Sequence, residues 1–184
     1  MKKLIILDRD GVINYDSDNY IKTLDEFIFI PKSIEAICHL NKLGYKIAIA
    51  TNQSGIFRQF YNQDTLNSMH QKLLTAVSQC GGQIEQIAYC PHGPKQSCAC
   101  RKPKSGMLKN ILSNLKLTAD DAIMVGDSIK DLQAAQNIYM DSILVKTGKG
   151  QGSAEQIKID PTILQKPVAI FDNLYSYATS LTSN

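Results

Sequence analysis

Short aliphatic runs alternate with amphipathic segments along most of the chain. The runs have the length and apolar content of buried parallel strands, and they lie at 2–7, 45–51, 84–90, 121–127 and 141–148. The segments between them carry apolar residues at helical spacing, which predicts helices at 33–44, 62–82, 105–117 and 129–138. Residues 165–181 predict a last short strand and a closing helix.

This alternation of strands and helices predicts an α/β fold in which helices cover both faces of one parallel sheet. In such sheets, ligands bind beyond the carboxyl ends of the strands. The residues that directly follow each strand are therefore the first candidates for a functional site. A chain of 184 residues is long enough to form its own core, and we expect a single domain over 1–184.

Composition and charge argue against several classes of partner. The formal net charge of +3 is too small to predict binding to nucleic acid or to an anionic membrane surface. No apolar run approaches the ~20 residues that a membrane-spanning helix needs, and the apolar stretch near the start is too short for a signal peptide. We expect a cytoplasmic protein whose partner is a small molecule. Its small size also favours a monomer.

Polar and charged side chains follow four of the predicted strands. Asp8 and Asp10 follow the first strand, and the one-residue spacing places both side chains on one side of an extended backbone. A hydroxyl and an amide follow the second strand, two cations follow the third strand and its loop, and two carboxylates follow the fourth. These residues are Thr51 and Asn52, Arg101 and Lys102, and Asp127 and Asp131. Each motif alone is typical of a helix cap, a polar turn or a solvated basic loop.

Together, these groups have the composition that phosphoryl transfer through an aspartyl-phosphate requires. One carboxylate attacks phosphorus, a second carboxylate transfers protons, and a hydroxyl and an ammonium group hold the phosphoryl oxygens. A further carboxylate helps to bind Mg²⁺, which prefers carboxylate and phosphate oxygens. A magnesium-dependent phosphatase is therefore the first functional hypothesis.

The segment 89–103, YCPHGPKQSCACRKP, contains three of the five cysteines in the chain. Its pattern C-x-H-x5-C-x-C offers a closed set of ligands suited to tetrahedral Zn²⁺, and these are Cys90, His92, Cys98 and Cys100. Because four protein ligands leave no open position for water or substrate, we predict that the metal is structural and holds the loop. The other cysteines, Cys38 and Cys80, fall in helical patterns and are expected to be core thiols.

Four motifs in the order LDRDGVIN, TNQSG, RKP and VGDSIKD resemble the phosphatases of the haloacid dehalogenase (HAD) superfamily, over about residues 4–150. The resemblance implies a Rossmann-like three-layer fold without a cap domain. It implies that Asp8 is the nucleophile and that Asp10 is the proton donor and acceptor. Thr51 and Lys102 would stabilise the phosphoryl group. The implied Mg²⁺ ligands are Asp8, Asp10 through its main-chain carbonyl, and Asp127, with Asp131 nearby.

The zinc loop that runs into CRKP is similar to two groups within the superfamily. These are the D-glycero-D-manno-heptose 1,7-bisphosphate 7-phosphatases and the histidinol-phosphate phosphatases. TNQSG and the Gly-Met that follows RKP favour the heptose group, which implies a role in making activated heptose for the lipopolysaccharide core. In this resemblance Arg101 binds the distal phosphate. The substrate contacts that it implies are Asp16, Asn19, Tyr20, Asn52, Gln53, Ser54, Arg58 and Arg101.

The chain departs from the resembled pattern at two points. The loop after VIN is one residue longer than usual, which leaves the assignment among Ser17, Asp18 and Asn19 open. Ser128 stands where the family often has lysine or arginine, and Lys130 is the candidate that would compensate. Two alternatives to the heptose hypothesis stay open. One is a phosphatase of histidinol phosphate or another small phosphomonoester, and the other is a catalytically silent, zinc-stabilised binding module.

Overall fold

A computed structural model describes residues 2–181, in which six strands form one sheet with every neighbouring pair parallel. The order across the sheet is β3-β2-β1-β4-β5-β6, so that β1 and β4 are its central strands. The strands are β1 (Leu4–Leu7), β2 (Lys46–Asn52), β3 (Gln86–Cys90), β4 (Ala122–Gly126), β5 (Asp141–Val145) and β6 (Ala169–Phe171). The predicted parallel sheet is thus confirmed.

Six α-helices cover the two faces of the sheet in the described part of the chain. They are α1 (Ser33–Lys42), α2 (Gln63–Gln79), α3 (Gly106–Leu115), α4 (Ile129–Gln136), α5 (Gly150–Ile159) and α6 (Leu174–Ser180). The helices α1, α2 and α6 contribute to one core cluster, and α3 and α4 contribute to the cluster on the other face. α5 packs beside α4 on that second face. The three-layer α/β fold is therefore also confirmed.

Alternation along β1 explains how the sheet joins the two cores. Ile5 and Leu7 belong to one cluster, whereas Leu4 and Ile6 belong to the other. All four side chains are fully buried, which is why the strand appears in the sequence as an unbroken apolar run. The polar residues that begin at Asp8 follow at the carboxyl edge of the sheet.

The sequence pattern does not predict α5. Its first turns contain Gly150 and Gly152, and glycine is a poor helix former. Gly150 is nevertheless required, because a Cβ at this position would collide with the main-chain carbonyl of Val145. Packing against β5 therefore decides where this helix begins, and local propensity does not.

Cys38 and Cys80 form a disulfide between α1 and the end of α2, so the expectation that they are free core thiols is wrong. Their Cα atoms lie 6.2 Å apart, within the range that a disulfide spans. Cys38 belongs to the core cluster and Cys80 packs against it, where α1 and α2 meet. Two separate helical patterns cannot reveal that contact. The cysteines of the 89–103 segment are free.

The connection between β1 and α1 shows how little chain is available for a cap. Residues 8–32, all of them described, contain no α-helix and no strand of the sheet.

No helix within residues 2–181 is long and apolar enough to span a membrane. The assignment of 1–184 to a single domain stays a prediction, and Met1 and residues 182–184 lie outside the described residues.

Candidate active site

A cavity of about 660 Å³ opens at the carboxyl edge of the sheet. Its walls come from the segments that follow β1, β2, β4 and β5, and from the end of the cysteine loop. The catalytic and metal-binding candidates on these walls are Asp8, Asp10, Thr51, Lys102, Asp127 and Asp131. The fold thus brings together groups that are far apart in sequence, because parallel strands end at a common edge.

Asp8, Asp127 and Asp131 form a carboxylate cluster in which one oxygen of each lies within 4.8 Å of the others. Lys102 is only 2% exposed and reaches this cluster from the loop after β3. Its Nζ lies 2.9 Å from Asp8 Oδ1 and 2.5 Å from Asp131 Oδ1, and it donates to the Ala50 carbonyl at 2.7 Å. An ammonium group has three protons, so these contacts use all of them.

Burial in the carboxylate cluster changes the pKa values of Asp8, Asp127 and Lys102. Burial raises the pKa of Asp8 to about 7, while Lys102 opposes the change and Asp131 adds to it. Burial, together with repulsion from Asp131 and Asp8, raises the pKa of Asp127 to about 8. Burial alone would lower the pKa of Lys102, but the charges of Asp131 and Asp8 raise it above its usual value. The site lacks positive charge, which a divalent cation would supply.

Asp127 is held by the close approach of two glycine-containing turns. Its Oδ2 accepts a hydrogen bond from the main-chain N–H of Lys149 at 2.7 Å. Gly11 and Gly148 have φ angles of +85° and +57°, and a Cβ on either would collide with the Asp127 carboxylate. Glycine at both positions lets the backbone approach this carboxylate and fixes one of its oxygens.

Asp10 lies in a cage of hydrogen-bond donors. Arg9 binds its carboxylate through Nε at 3.0 Å and through Nη2 at 2.8 and 3.0 Å. Asn14 Nδ2 and Gln53 Nε2 each donate to it at 2.8 Å. Burial would raise the pKa of Asp10, but Arg9 and the hydrogen bonds from Asn14 and Gln53 hold it below its ordinary value. The cage therefore favours the ionised carboxylate, whereas the surroundings of Asp8 do not.

Arg9 and Tyr61 are functional candidates that the sequence pattern does not identify. Arg9 is fully buried, and its guanidinium lies 5.1 Å from the centre of the Phe27 ring. Tyr61 Oη donates to Gln53 Oε1 at 2.6 Å, which orients the amide that binds Asp10. The sequence signal for Arg9 is its place between two aspartates. Alternation along an extended backbone would direct its side chain away from both of them, so the pattern does not predict its contact with Asp10.

The turn after β2 supports the site mainly by holding other groups. Asn52 exchanges two hydrogen bonds with the main chain of Lys102, at 3.1 and 3.2 Å. Gln53 Nε2 also donates to Thr51 Oγ1 at 2.8 Å, in addition to its bond with Asp10. The sequence predicts that Asn52 and Gln53 contact substrate. Both line the cavity, but their side chains are engaged in positioning Lys102 and Asp10.

The other predicted substrate contacts divide into two groups. Those that line the cavity are Asp16, Tyr20, Ser54 and Arg101, and Ser17 and Asp18 join them. Among residues 2–181, the lining does not include Asn19 or Arg58. Asn19 is exposed in a turn in which the Tyr20 N–H donates to the Ser17 carbonyl. Arg58 is also exposed, and its guanidinium lies 5.8 Å from the centre of the Tyr20 ring.

The cysteine loop brings four candidate ligand atoms within 4.8 Å of one another, from Cys90, His92, Cys98 and Cys100. The sulfur–sulfur distances from Cys90 are 3.8 Å to Cys98 and 3.2 Å to Cys100. His92 Nδ1 lies 3.5 Å from Cys90 Sγ and 3.3 Å from Cys100 Sγ. A tetrahedral zinc site has ligand–ligand distances of about 3.5–3.8 Å. Two of the four distances lie in this range and the two to Cys100 Sγ are slightly shorter, so the four atoms are close enough together to bind one metal ion. Burial raises the pKa of the Cys90 thiol to about 12, and a cation would favour the thiolate.

Arg101 connects the cysteine loop to the cavity. Its Nη1 donates to the main-chain carbonyl of His92 at 3.1 Å, and its side chain lines the cavity beside Lys102. Within the described residues, no carboxylate forms an ion pair with Arg101. The charge of this guanidinium is therefore available to an anionic ligand.

Several known proteins are similar to this chain in sequence over nearly their whole length. Residues 99–176 match the HAD-hydrolase-like family. The D-glycero-β-D-manno-heptose-1,7-bisphosphate 7-phosphatase of Pseudomonas putida is 49% identical over 179 residues, which cover 97% of this chain and 99% of the relative. The enzyme of the same name from Pseudomonas aeruginosa is 48% identical over 180 residues, which cover 98% of each chain.

A solved structure extends the similarity to the fold. The D,D-heptose 1,7-bisphosphate phosphatase from B. bronchiseptica, complexed with magnesium and phosphate, matches with a TM-score of 0.91. The sequences are 40% identical, and the match covers 97% of both chains. The likeness in fold therefore covers nearly the whole chain and is not limited to the sheet.

Proposed function

This chain belongs to the HAD-like hydrolases, among the D-glycero-D-manno-heptose-1,7-bisphosphate 7-phosphatases, and from this premise we propose that it removes the C7 phosphate of D-glycero-β-D-manno-heptose 1,7-bisphosphate. The choice of the β anomer follows the relatives. One observation carries the proposal: the carboxylate cluster and Arg101 line the same cavity. Among residues 2–181, Arg101 forms no ion pair. The cluster serves the reacting phosphate, and the arginine offers a charge to the second phosphate.

Asp8 is the proposed nucleophile. Its Oδ1 accepts hydrogen bonds from Lys102 Nζ at 2.9 Å and from the main-chain N–H of Arg9 at 2.7 Å, which fix the carboxylate. An oxygen of Asp8 attacks phosphorus while the bond between phosphorus and the C7 oxygen breaks, and this leaves an aspartyl-phosphate. Lys102 and the Thr51 hydroxyl are the groups that we propose to stabilise the phosphoryl oxygens in the transition state.

The carboxylate cluster fits Mg²⁺, which takes oxygen ligands and keeps several waters. The raised pKa values of Asp8 and Asp127 support this fit, because they result from burial and from repulsion by neighbouring carboxylates, which a cation would relieve. When bound, Mg²⁺ would neutralise phosphate charge and orient the phosphoryl group. The proposed ligands are Asp8, Asp127 and the Asp10 main-chain carbonyl. Asp131 stands beside them and pairs with Lys102.

Asp10 is the proposed proton donor and acceptor. In its protonated form it gives a proton to the departing C7 oxygen, so that the sugar leaves as an alcohol. The Asp10 carboxylate then accepts a proton from water, whose oxygen attacks the phosphorus of the aspartyl-phosphate and releases phosphate and free Asp8. Because the cage favours the carboxylate, we expect the negative charge of the arriving phosphate to raise the pKa of Asp10 for the first step.

The cysteine loop is proposed to hold Zn²⁺ in a structural role. Three thiolates and one imidazole complete a tetrahedron and leave no position for substrate. Arg101 contacts the carbonyl of His92, so a metal that fixes the loop also fixes the guanidinium. We assign Arg101 to the C1 phosphate, which its planar fork suits.

Steady-state kinetics with added Mg²⁺ test the proposal. The substrates are heptose 1,7-bisphosphate prepared as each anomer and histidinol phosphate. We expect the highest kcat/KM with the β anomer. A preference for histidinol phosphate would contradict the heptose assignment, and a complete lack of phosphate release would favour the silent binding module.

Three further assignments stay predictions. The heptose 1-phosphate product suits a following nucleotide-transfer step toward the lipopolysaccharide core, and the cytoplasm is the expected location. A monomer is the expected assembly, which light scattering coupled to gel filtration can test.

Ser128 stands at the position where the family often has a basic residue. Its hydroxyl donates to Asp131 Oδ2 at 2.6 Å. Lys130 lines the cavity and is the candidate for the missing basic contact.

A further inference from the structure

Lys149 contacts two separate parts of the cavity wall, and the proposed reaction gives its side chain no role. It stands in the turn between β5 and α5. Its main-chain N–H donates to Asp127 Oδ2 at 2.7 Å. Its Nζ lies 3.2 Å from Asp16 Oδ2 and 3.7 Å from Asp18 Oδ1. One residue therefore connects the carboxylate cluster to the loop 15–20.

We propose that Lys149 is a positioning residue for the loop 15–20, and that its ion pair with Asp16 sets the distance between this loop and Asp127. The main-chain end of the connection is fixed. A Cβ on Gly148 would collide with Asp127, and a Cβ on Gly150 would collide with the Val145 carbonyl. The tightly packed turn therefore fixes the backbone position from which the Lys149 side chain reaches Asp16.

Electrostatics explains why the loop needs such a partner. Asp16 lines the same cavity as the carboxylate cluster, and its charge contributes to the raised pKa of Asp127. The Lys149 ammonium group, 3.2 Å from Asp16, offsets this charge and so stabilises Asp16 close to the cluster. The side chain of Asp16 is 23% exposed, whereas that of Asp18 is 94% exposed. Asp16 is therefore the partner whose position the ion pair controls, and Asp18 is screened by solvent.

Direct contact between Lys149 and the second phosphate of the substrate is the competing role. Charge favours positioning, because Lys149 is already paired with Asp16, whereas Arg101 forms no ion pair among residues 2–181. The two cations also come from opposite sides of the reacting centre. Arg101 follows β3 and Lys149 follows β5, and the sheet order places β1 between those strands.

The variant Lys149→Gln tests the proposal, because it removes the charge and keeps the main-chain N–H. Lys149→Arg is the conservative variant. Lys146→Gln is the matched control, since Lys146 forms an exposed ion pair with Asp172 at 3.0 Å from the same turn and does not line the cavity. Hydrogen–deuterium exchange of the full chain without substrate reports on the loop directly. We expect faster exchange over 15–20 in Lys149→Gln, and wild-type exchange in the other two variants.

The kinetic arm of the test rests on the proposed function. With heptose 1,7-bisphosphate we expect KM to rise about two- to fivefold in Lys149→Gln, the range that an exposed ion pair supports, with a smaller change in kcat. The effect should be smaller with p-nitrophenyl phosphate, which has no sugar to meet the loop. Lys149→Arg should restore the KM.

Two results would overturn the positioning role. A higher KM with unchanged exchange over 15–20 would indicate direct contact with substrate, and an unchanged KM with unchanged exchange would leave the ion pair without effect. A wild-type protein that does not hydrolyse the bisphosphate would refute the proposed function alone. The exchange measurement would then still decide whether Lys149 holds the loop.

Discussion

The two candidate metal centres of this chain are assembled in opposite ways. The carboxylate cluster combines Asp8 from the end of β1 with Asp127 and Asp131, which follow β4. The cysteine loop takes all its ligand candidates from the single short segment 90–100. The first centre exists only when the sheet has formed, whereas the second has its ligands close together in the sequence. In the proposed assignment, the ligands that lie closest together in the sequence are therefore not the ones that carry the chemistry.

The number of ligands explains the difference in role. Four soft ligands complete a tetrahedron around zinc, so the loop can hold a metal but cannot offer it to substrate. The carboxylate cluster is proposed to bind Mg²⁺, which prefers six oxygen ligands, so three protein ligands would leave positions for water and phosphate. Two neighbouring cationic residues each contact a different centre. Lys102 pairs with Asp8 and Asp131, and Arg101 donates to the His92 carbonyl.

The largest expected effect comes from Asp8→Asn, because the amide cannot attack phosphorus. We expect kcat to fall by about a thousandfold or more, measured as phosphate release with Mg²⁺ present. Asp25→Asn is the control, since Asp25 is an exposed carboxylate of the segment 8–32 that does not line the cavity. Magnesium-dependent release that survives in Asp8→Asn would exclude the aspartyl-phosphate mechanism.

A smaller effect should follow when the cysteine loop loses one of its ligands. In Cys100→Ser we expect lower zinc content by elemental analysis and a kcat/KM about ten- to a hundredfold lower with the bisphosphate. The physical reason is that an unfixed loop no longer holds Arg101. Ser97→Ala, an exposed change in the same loop, is the control. Full activity of a zinc-free protein would show that the loop needs no metal.

The contrast between the centres also shows what the sequence can predict. Strand ends in a parallel sheet share an edge by geometry, so Asp8, Thr51, Lys102 and Asp127 could be grouped from the pattern alone. The spacing of ligands within the cysteine loop is local and needs no fold at all. The grouping of the strand-end residues and the ligand set of the cysteine loop can therefore both be predicted from patterns within single strands or loops.

The features that the sequence pattern does not predict depend on contacts between distant segments. The disulfide of Cys38 and Cys80 requires the packing of α1 on α2. The start of α5 at Gly150 is set by the nearby Val145 carbonyl. The cage around Asp10 depends on Gln53, which arrives from another strand end and was expected to face substrate. No single-segment pattern contains this information.

Arg101→Gln should separate the two phosphates of the substrate. A charge-assisted hydrogen bond contributes about 1.5–3 kcal/mol, so we expect the KM for the bisphosphate to rise about tenfold or more. The change should be smaller with p-nitrophenyl phosphate, which has no second phosphate. Arg101→Lys should restore binding only in part, because an ammonium lacks the planar fork. Lys95→Gln, an exposed cation of the same loop, is the control. Equal losses with both substrates would place Arg101 at the reacting phosphate instead.

The smallest expected effect is a pH-dependent response of stability to Mg²⁺. The pKa values of Asp8 and Asp127 in the folded protein, about 7 and about 8, lie above the unfolded value of 3.8. The folded state therefore holds protons that the unfolded chain has released, so the magnesium-free protein loses stability as pH rises from about 4 to about 8. Mg²⁺ binds the ionised carboxylates and should restore that stability, with a Tm increase of about 2–4 °C that is larger at about pH 8 than at about pH 5.

Thermal unfolding with and without Mg²⁺ at both pH values measures this response. In Asp127→Asn the repulsion and one ligand are both removed, so the magnesium-dependent increase in Tm at high pH should shrink. In Cys100→Ser it should persist, because the cysteine loop binds its metal through sulfur and nitrogen, which suit Zn²⁺ and not Mg²⁺. An equal increase in Tm at both pH values would mean that Mg²⁺ does not bind at the titrating carboxylates. The proposal that the carboxylate cluster is an open magnesium site would then be wrong.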